Sequence, residues 1–232
     1  AAAAREYLSQ LGAVDAKEAF RQFIRSQNYE LESGSLMLAQ VADPKLDAAD
    51  TYTFLEEVAG RCRQLVAQPA TGWQQCRTIN RVLFHEYGFA GDRTDFYNPA
   101  NSFLPQVIER RRGIPITLCI LYLLVAERCG LRLEPIGLPG RFMLGCFSDV
   151  EPFYIDCFEG GLFLTLEDVE RRFEQQGLTP QPSFFAPCPI SEVLQRCCRN
   201  LVNQYRRYEQ PSEAQLFASF VHEFDLVYQR ED

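Results

Sequence analysis

The sequence predicts an α+β protein. Apolar residues recur at helical spacing through the first half and again over the last forty residues, and three short apolar or aromatic runs lie between them, bounded by Gly, Pro and Asp. The order is helices, then a small antiparallel sheet, then two closing helices. With 232 residues, 47% of them hydrophobic, the chain can fill one substantial core.

Ala19, Phe20, Phe23 and Ile24 make the apolar face of a first helix, with Asp15 as its expected N-cap. A short helix over 35–41 stops at Asp43-Pro44, since the residue before proline avoids the helical region. Phe54, Val58, Cys62 and Leu65 share a face of the next helix, which Pro69 ends. Residues 73–87 form another, with Cys76, Ile79, Val82 and Leu83 inward and Gly88 at its C-terminus. A loop over 88–99 follows, and Asn101 and Ser102 open a helix that runs to Arg111. Gly113 breaks the chain, and Pro115 suits the first turn of the next helix, where a missing N–H costs nothing. That helix ends at Cys129-Gly130. Residues 133–136, 142–147 and 152–155 read as strands and Gly160-Gly161 as a turn. Helices are expected over 166–176, 190–208 and 212–228, with a proline-rich connector over 184–189. The division is a helical region at 1–100, a core at 101–165 and a helical region at 166–232, packed as one unit.

The formal net charge of −8 argues against broad nucleic-acid binding. No apolar run is long enough to span a bilayer and no secretory leader pattern is visible, so a cytoplasmic protein is expected. Nine cysteines show no CxxC pair and no zinc-type spacing with the two histidines. They read as reduced core residues, and neither a metal nor a cofactor is expected.

One stretch carries a specific pattern. It runs Ile108-Glu109-Arg110-Arg111-Arg112-Gly113-Ile114-Pro115-Ile116, a long apolar helix to Gly130-Leu131, then Gly137-Leu138-Pro139-Gly140-Arg141-Phe142-Met143, then Phe153-Tyr154-Ile155-Asp156. With Leu83-Phe84, Gly88-Phe89, Asn101-Ser102 and Tyr122, it resembles the bacterial SirB-type branch of the transglutaminase-like family over roughly residues 35–165. The resemblance implies a transglutaminase-like (papain-like cysteine proteinase) core: a central helix packed on a small antiparallel sheet. It also implies a nucleophilic Cys opening that helix, a His on the next strand and an Asp on the strand after. Members often end in a tetratricopeptide-like helical region, of which the last helices here would be a remnant.

At the matching positions this chain has Pro115, Arg141 and Asp156. Proline offers no nucleophile, and an arginine that never deprotonates cannot act as a general base. The expected role is therefore a binding, scaffold or regulatory module. The competing reading is a cysteine-type hydrolase or acyl transferase with an altered site, using Cys157, Cys119 or a non-cysteine site around Asp156 and Arg141. The candidate cleft residues are Asn101, Ser102, Arg110, Arg111, Arg112, Tyr122, Arg141, Asp156 and Cys157, for a protein, peptide or small-anion partner. Two readings of the arginines stay open. They could form an anion site beside a helix N-terminus, or pair with Glu109, Asp156 and Glu159 to hold the core. Asn101 and Ser102 could cap a helix or line the cleft. His85 and His222 fall in no motif, and Tyr205, Tyr208, Phe217 and Phe220 could be either a packing face or a partner surface.

Overall fold

The computed structural model describes residues 16–149, 151–175 and 177–229. Asp15, the expected first N-cap, and Gln176 lie outside the described residues. The chain starts with α1 (Ala16–Ser26), α2 (Leu31–Ala42), α3 (Ala49–Leu65) and α4 (Gly72–Asn80). The four residues expected to face inward on α1 are its buried ones. α2 begins four residues earlier than its apolar run suggests, because Glu32, Ser33 and Gly34 are buried with the rest of the helix. Gly34 lies against α8, introduced below: a Cβ there would meet Leu194 Cδ1 at 2.5 Å.

α4 carries a capping box, Thr71 Oγ1 accepting from the Gln74 N–H while Gln74 Oε1 accepts from the Thr71 N–H. It does not run on as an α-helix to Tyr87. It widens into one π-helical stretch, Arg81–Glu86, after which the Phe89 N–H reaches Leu83 O. A short strand, β1 (Ala90–Gly91), then pairs in parallel with β2 (Arg112–Gly113); neither is legible at two residues' length. Between them come a 3₁₀ turn (Pro99–Asn101) and α5 (Leu104–Arg110). α5 opens at Leu104, so Asn101 and Ser102 are not its caps; Phe103 holds that position.

Pro115 occupies the first turn of α6 (Pro115–Arg128), as its fixed φ favours. This helix is the axis of the molecule. Ten of its fourteen residues are buried. It packs against α2, α3, α4, α5 and α8 on some sides and the sheet on another. A helix apolar on every side must be enclosed on every side, which dictates the wrap-around architecture. Polar ties fix it in place. The buried Tyr122 hydroxyl donates to Cys76 O at 3.0 Å. Arg128 spans Glu32 at 2.6 Å and Glu56 at 3.1 Å, joining the end of α6 to α2 and α3.

The sheet is antiparallel in the order β3-β4-β5-β6: β3 (Glu134–Ile136), β4 (Met143–Cys146), β5 (Phe153–Asp156) and β6 (Leu162–Leu164). Three strands match the sequence reading. β6 follows the Gly160-Gly161 turn, where both glycines have positive φ, and its Leu-Phe-Leu run is too short to stand out. α7 (Leu166–Gln175), a 3₁₀ turn (Pro182–Phe185), α8 (Ile190–Arg207) and α9 (Pro211–Tyr228) complete the chain. Tyr205 stacks on Phe217 at 5.5 Å and Phe217 meets Phe220 edge-on, so these aromatics are the packing face of the last two helices and not a partner surface. Tyr208 differs: it is exposed, and its hydroxyl donates to Asp95. One buried cluster runs from Ala19 through Val125 to Val227 and so crosses the three regions of the sequence.

Replacing Tyr122 by Phe should leave the Cys76 carbonyl short of a partner and cost about 1 kcal/mol. Urea unfolding should show a lower midpoint at unchanged slope, and an unchanged midpoint would mean the hydroxyl contributes nothing.

Candidate functional site

The register of β4 and β5 pairs Leu144 with Ile155 and Cys146 with Phe153. This brings Asp156, at the end of β5, to the start of β4, just past Arg141. Pro139-Gly140 makes the turn before it, with Gly140 at φ +68° and the Arg141 N–H donating to Leu138 O. Arg141 Nη1 then donates to Asp156 Oδ2 at 2.8 Å, and Arg172 of α7 stands 3.6 Å from the same oxygen. The other carboxylate oxygen accepts from the Glu159 N–H and caps the turn Cys157–Glu159.

The Asp156 side chain is 1% exposed, whereas that of Arg141 is 35% exposed. Burial raises the Asp156 pKa; Arg141 and the Glu159 amide offset part of that, and the net direction is up.

Arg141 also borders two clefts. The larger, about 220 Å³, is floored by Pro115 at the start of α6 and walled by Phe96, Tyr97, Arg141, Arg196, Asn200 and Asn203. The smaller, about 100 Å³, lies across Gly140 and includes Arg141 and Arg172. Pro115 and Arg141 thus meet at one cleft, with Asp156 buried behind the arginine.

The other candidates do not line either cleft. Tyr122 and Cys157 are fully buried. The Cys157 thiol is pushed well up, first by burial and then by its Cys119 neighbour, so it is no ready nucleophile. Cys119 is also fully buried, its sulfur 3.8 Å from Phe142 O. Arg111 lies over Phe54 and Phe89 at 4.4 and 4.7 Å, and burial lowers its pKa. Arg112 donates to the Gly88 and Arg111 carbonyls. Nor do the arginines pair as expected with Glu109. Arg110 pairs with Asp92 at 3.4 Å, and Glu159 is held by Arg93. His85 and His222 are exposed and border neither cleft. Among the described residues, no cluster of three His, Cys, Asp or Glu could hold a metal.

Asn101, Ser102 and Arg110 act on the cleft at one remove. The buried Asp92 carboxylate accepts from the Thr94 and Asp95 amides, the Thr94 hydroxyl and Asn101 Nδ2. Burial alone would raise its pKa, but these bonds outweigh it and the net direction is down. Asn101 also donates to Asp95 O and accepts from Arg110 Nη1. The knot fixes the loop that presents Phe96 and Tyr97, and Asn101 O takes the Ile114 N–H just before Pro115. Ser102 donates to the cleft residue Gln204 at 2.8 Å.

The α8 wall escaped the sequence reading because it lies some sixty residues past Arg141. The available signal was the spacing of Arg196, Asn200, Asn203 and Arg207 at i, i+4, i+7 and i+11, a polar stripe on the outer face of an amphipathic helix.

A helix opening beside a four-stranded antiparallel sheet, whose third strand ends in a buried Asp, defines a class, and comparison with known proteins agrees. Residues 49–199 match the transglutaminase-like superfamily. A UPF0162 protein of Xylella fastidiosa (strain 9a5c) is 31% identical over 188 residues, covering 78% of this chain and 67% of the relative. A UPF0162 protein of Vibrio cholerae is 28% identical over 132 residues, covering 56% of this chain and 49% of the relative. Mouse F-box only protein 21 is 36% identical over 137 residues, 56% of this chain but 21% of that protein. No solved structure matches. The chain belongs to the transglutaminase-like superfamily.

Replacing Arg141 by Ala should leave a buried carboxylate with only the more distant Arg172. The expected cost is about 2 kcal/mol, below the 3–5 kcal/mol of fully buried pairs because about a third of the Arg141 side chain is open to water. The folded Asp156 pKa already exceeds the unfolded one, so folding takes up protons there and this group's contribution falls as pH rises through that window. Losing Arg141 widens the window upward. The variant's deficit in urea should therefore be larger near pH 8 than near pH 5; a pH-independent deficit would contradict this.

Proposed function

We propose that this chain is a non-catalytic binding module on a transglutaminase-like frame and that the cleft before Pro115 is its binding site. The observation that supports it is the pairing of an imino ring at the start of α6 with a guanidinium tied to Asp156. A thiolate at that helix start would gain from the free N–H groups and dipole. Pro115 supplies no thiol, and Arg141 accepts no proton.

The reading as a cysteine hydrolase or acyl transferase with altered chemistry is disfavoured by the full burial of Cys119 and Cys157. The module would act through a protein, peptide or small anion. Its nine free thiols, seven of them buried, suit a reducing cytoplasm. Among the described residues no helix is long and apolar enough to cross a membrane.

Two measurements test this. Incubation with casein and a fluorescent primary amine, and separately with a quenched peptide library, should give no turnover above the buffer blank. Maleimide labelling at neutral pH should find no single fast cysteine. Turnover that disappears in Cys157→Ala or Asp156→Asn would overturn the proposal.

A further inference from the structure

We infer that the cleft takes the free C-terminal carboxylate of a peptide, with the peptide backbone laid along α8. This rests on the reading of the cleft as a binding site and gives its occupant a chemistry.

Charge comes first. The chain has a formal net charge of −8, yet the cleft lining holds two arginines and no carboxylate. Arg141 gives one N–H to Asp156, and Arg196 gives one to Leu138 O at 2.8 Å and stands 3.9 Å from Glu192 Oε1. Each guanidinium has five N–H donors, so both keep donors for an incoming anion. Arg196 lies over the Phe142 ring at 5.4 Å, with its Nη1 against Gly137. Around the cleft Arg141, Arg172 and Arg196 stand against the two carboxylates of Asp156 and Glu192, so one positive charge is left unmet and a further carboxylate would bridge Arg141 and Arg196 from the solvent side.

Size narrows the choice. A volume of about 220 Å³ is below the usual 300–1,000 Å³ of small-molecule sites. That suits the end of an extended chain lying in an open cleft, not a folded domain.

The rest of the wall matches a backbone. Asn200 and Asn203 stand on the same stripe of α8 as Arg196, and each side-chain amide can donate and accept as a peptide group does. From residue 196 to 203 the helix rises about 10 Å, the length of about three extended residues. Tyr97 closes the wall as an apolar face and is held by the guanidinium of Arg207, 3.7 Å from its ring centre. A free phosphate would satisfy the arginines but leave these amides and the aromatic wall unused.

The test uses random hexapeptides anchored to beads by their N-termini, one pool ending in a free carboxylate and one in an amide. The full chain should be retained at least tenfold better on the carboxylate pool, and raised salt should weaken retention. Asn203→Asp places a negative charge at an exposed position that the fold tolerates, checked by an unchanged thermal melt. It should cut retention tenfold or more, and Arg196→Gln should do the same. Equal retention on both pools, no retention on either, or retention indifferent to Asn203→Asp would overturn the inference. If Asn203→Asp abolishes equal retention on both pools, the cleft still binds peptide and only the carboxylate preference falls. Catalytic turnover, by contrast, would remove the reading beneath it.

Discussion

A carboxylate in the protein interior must be met by a cation or lose its charge, and the site depends on how Asp156 meets that requirement. Isolated burial of an ionised carboxylate costs far more than a domain's whole stability. Asp156 is buried by strand pairing, so its position is not negotiable. Arg141 reaches it from the turn before β4 at 2.8 Å, and a backbone amide takes the other oxygen. The guanidinium therefore serves two surfaces, an ion pair inward and a cleft wall outward. An imidazole in its place could exchange a proton with a ligand; a paired guanidinium can only attract one.

The rest of the cleft is set by the demands of α6. Its apolar circumference forces helices and sheet to surround it, which leaves its N-terminal end as the place where the enclosure opens. The opening is then furnished from three distant parts of the chain. The Asp92 knot presents Phe96 and Tyr97, the β4 approach supplies Arg141, and α8 adds Arg196, Asn200 and Asn203. Ser102, bonded to Gln204, couples the knot to α8. Residues such as Asn101 and Arg110 thus matter to the cleft without touching its space.

Much of this was legible because periodicity reports burial. The inward residues of α1 and α4, the first turn of α6 at Pro115 and three of four strands could be read from spacing and from Gly and Pro positions. The pairing of Arg141 with Asp156 could be anticipated because a buried acid needs a cation. What could not be read depends on tertiary context. β1 and β2 are two residues each, and their pairing is a long-range event with no local pattern. The π turn in α4 is likewise invisible to a 3.6-residue period. Arg110, Arg111 and Arg112 are adjacent in sequence, yet one joins the Asp92 knot, one lies on aromatic rings and one binds carbonyls. Three neighbours at the end of a helix point in different directions, so their proximity in sequence did not make a cluster in space.

The central claim is that Asp156 is a buried acid whose counter-ion is Arg141. Carboxyl-carbon NMR of Asp156 through an acid titration tests it most directly. The account predicts a midpoint above the ordinary aspartate value, moving further upward in Arg141→Gln. A midpoint at the ordinary value that Arg141→Gln leaves unmoved would contradict it.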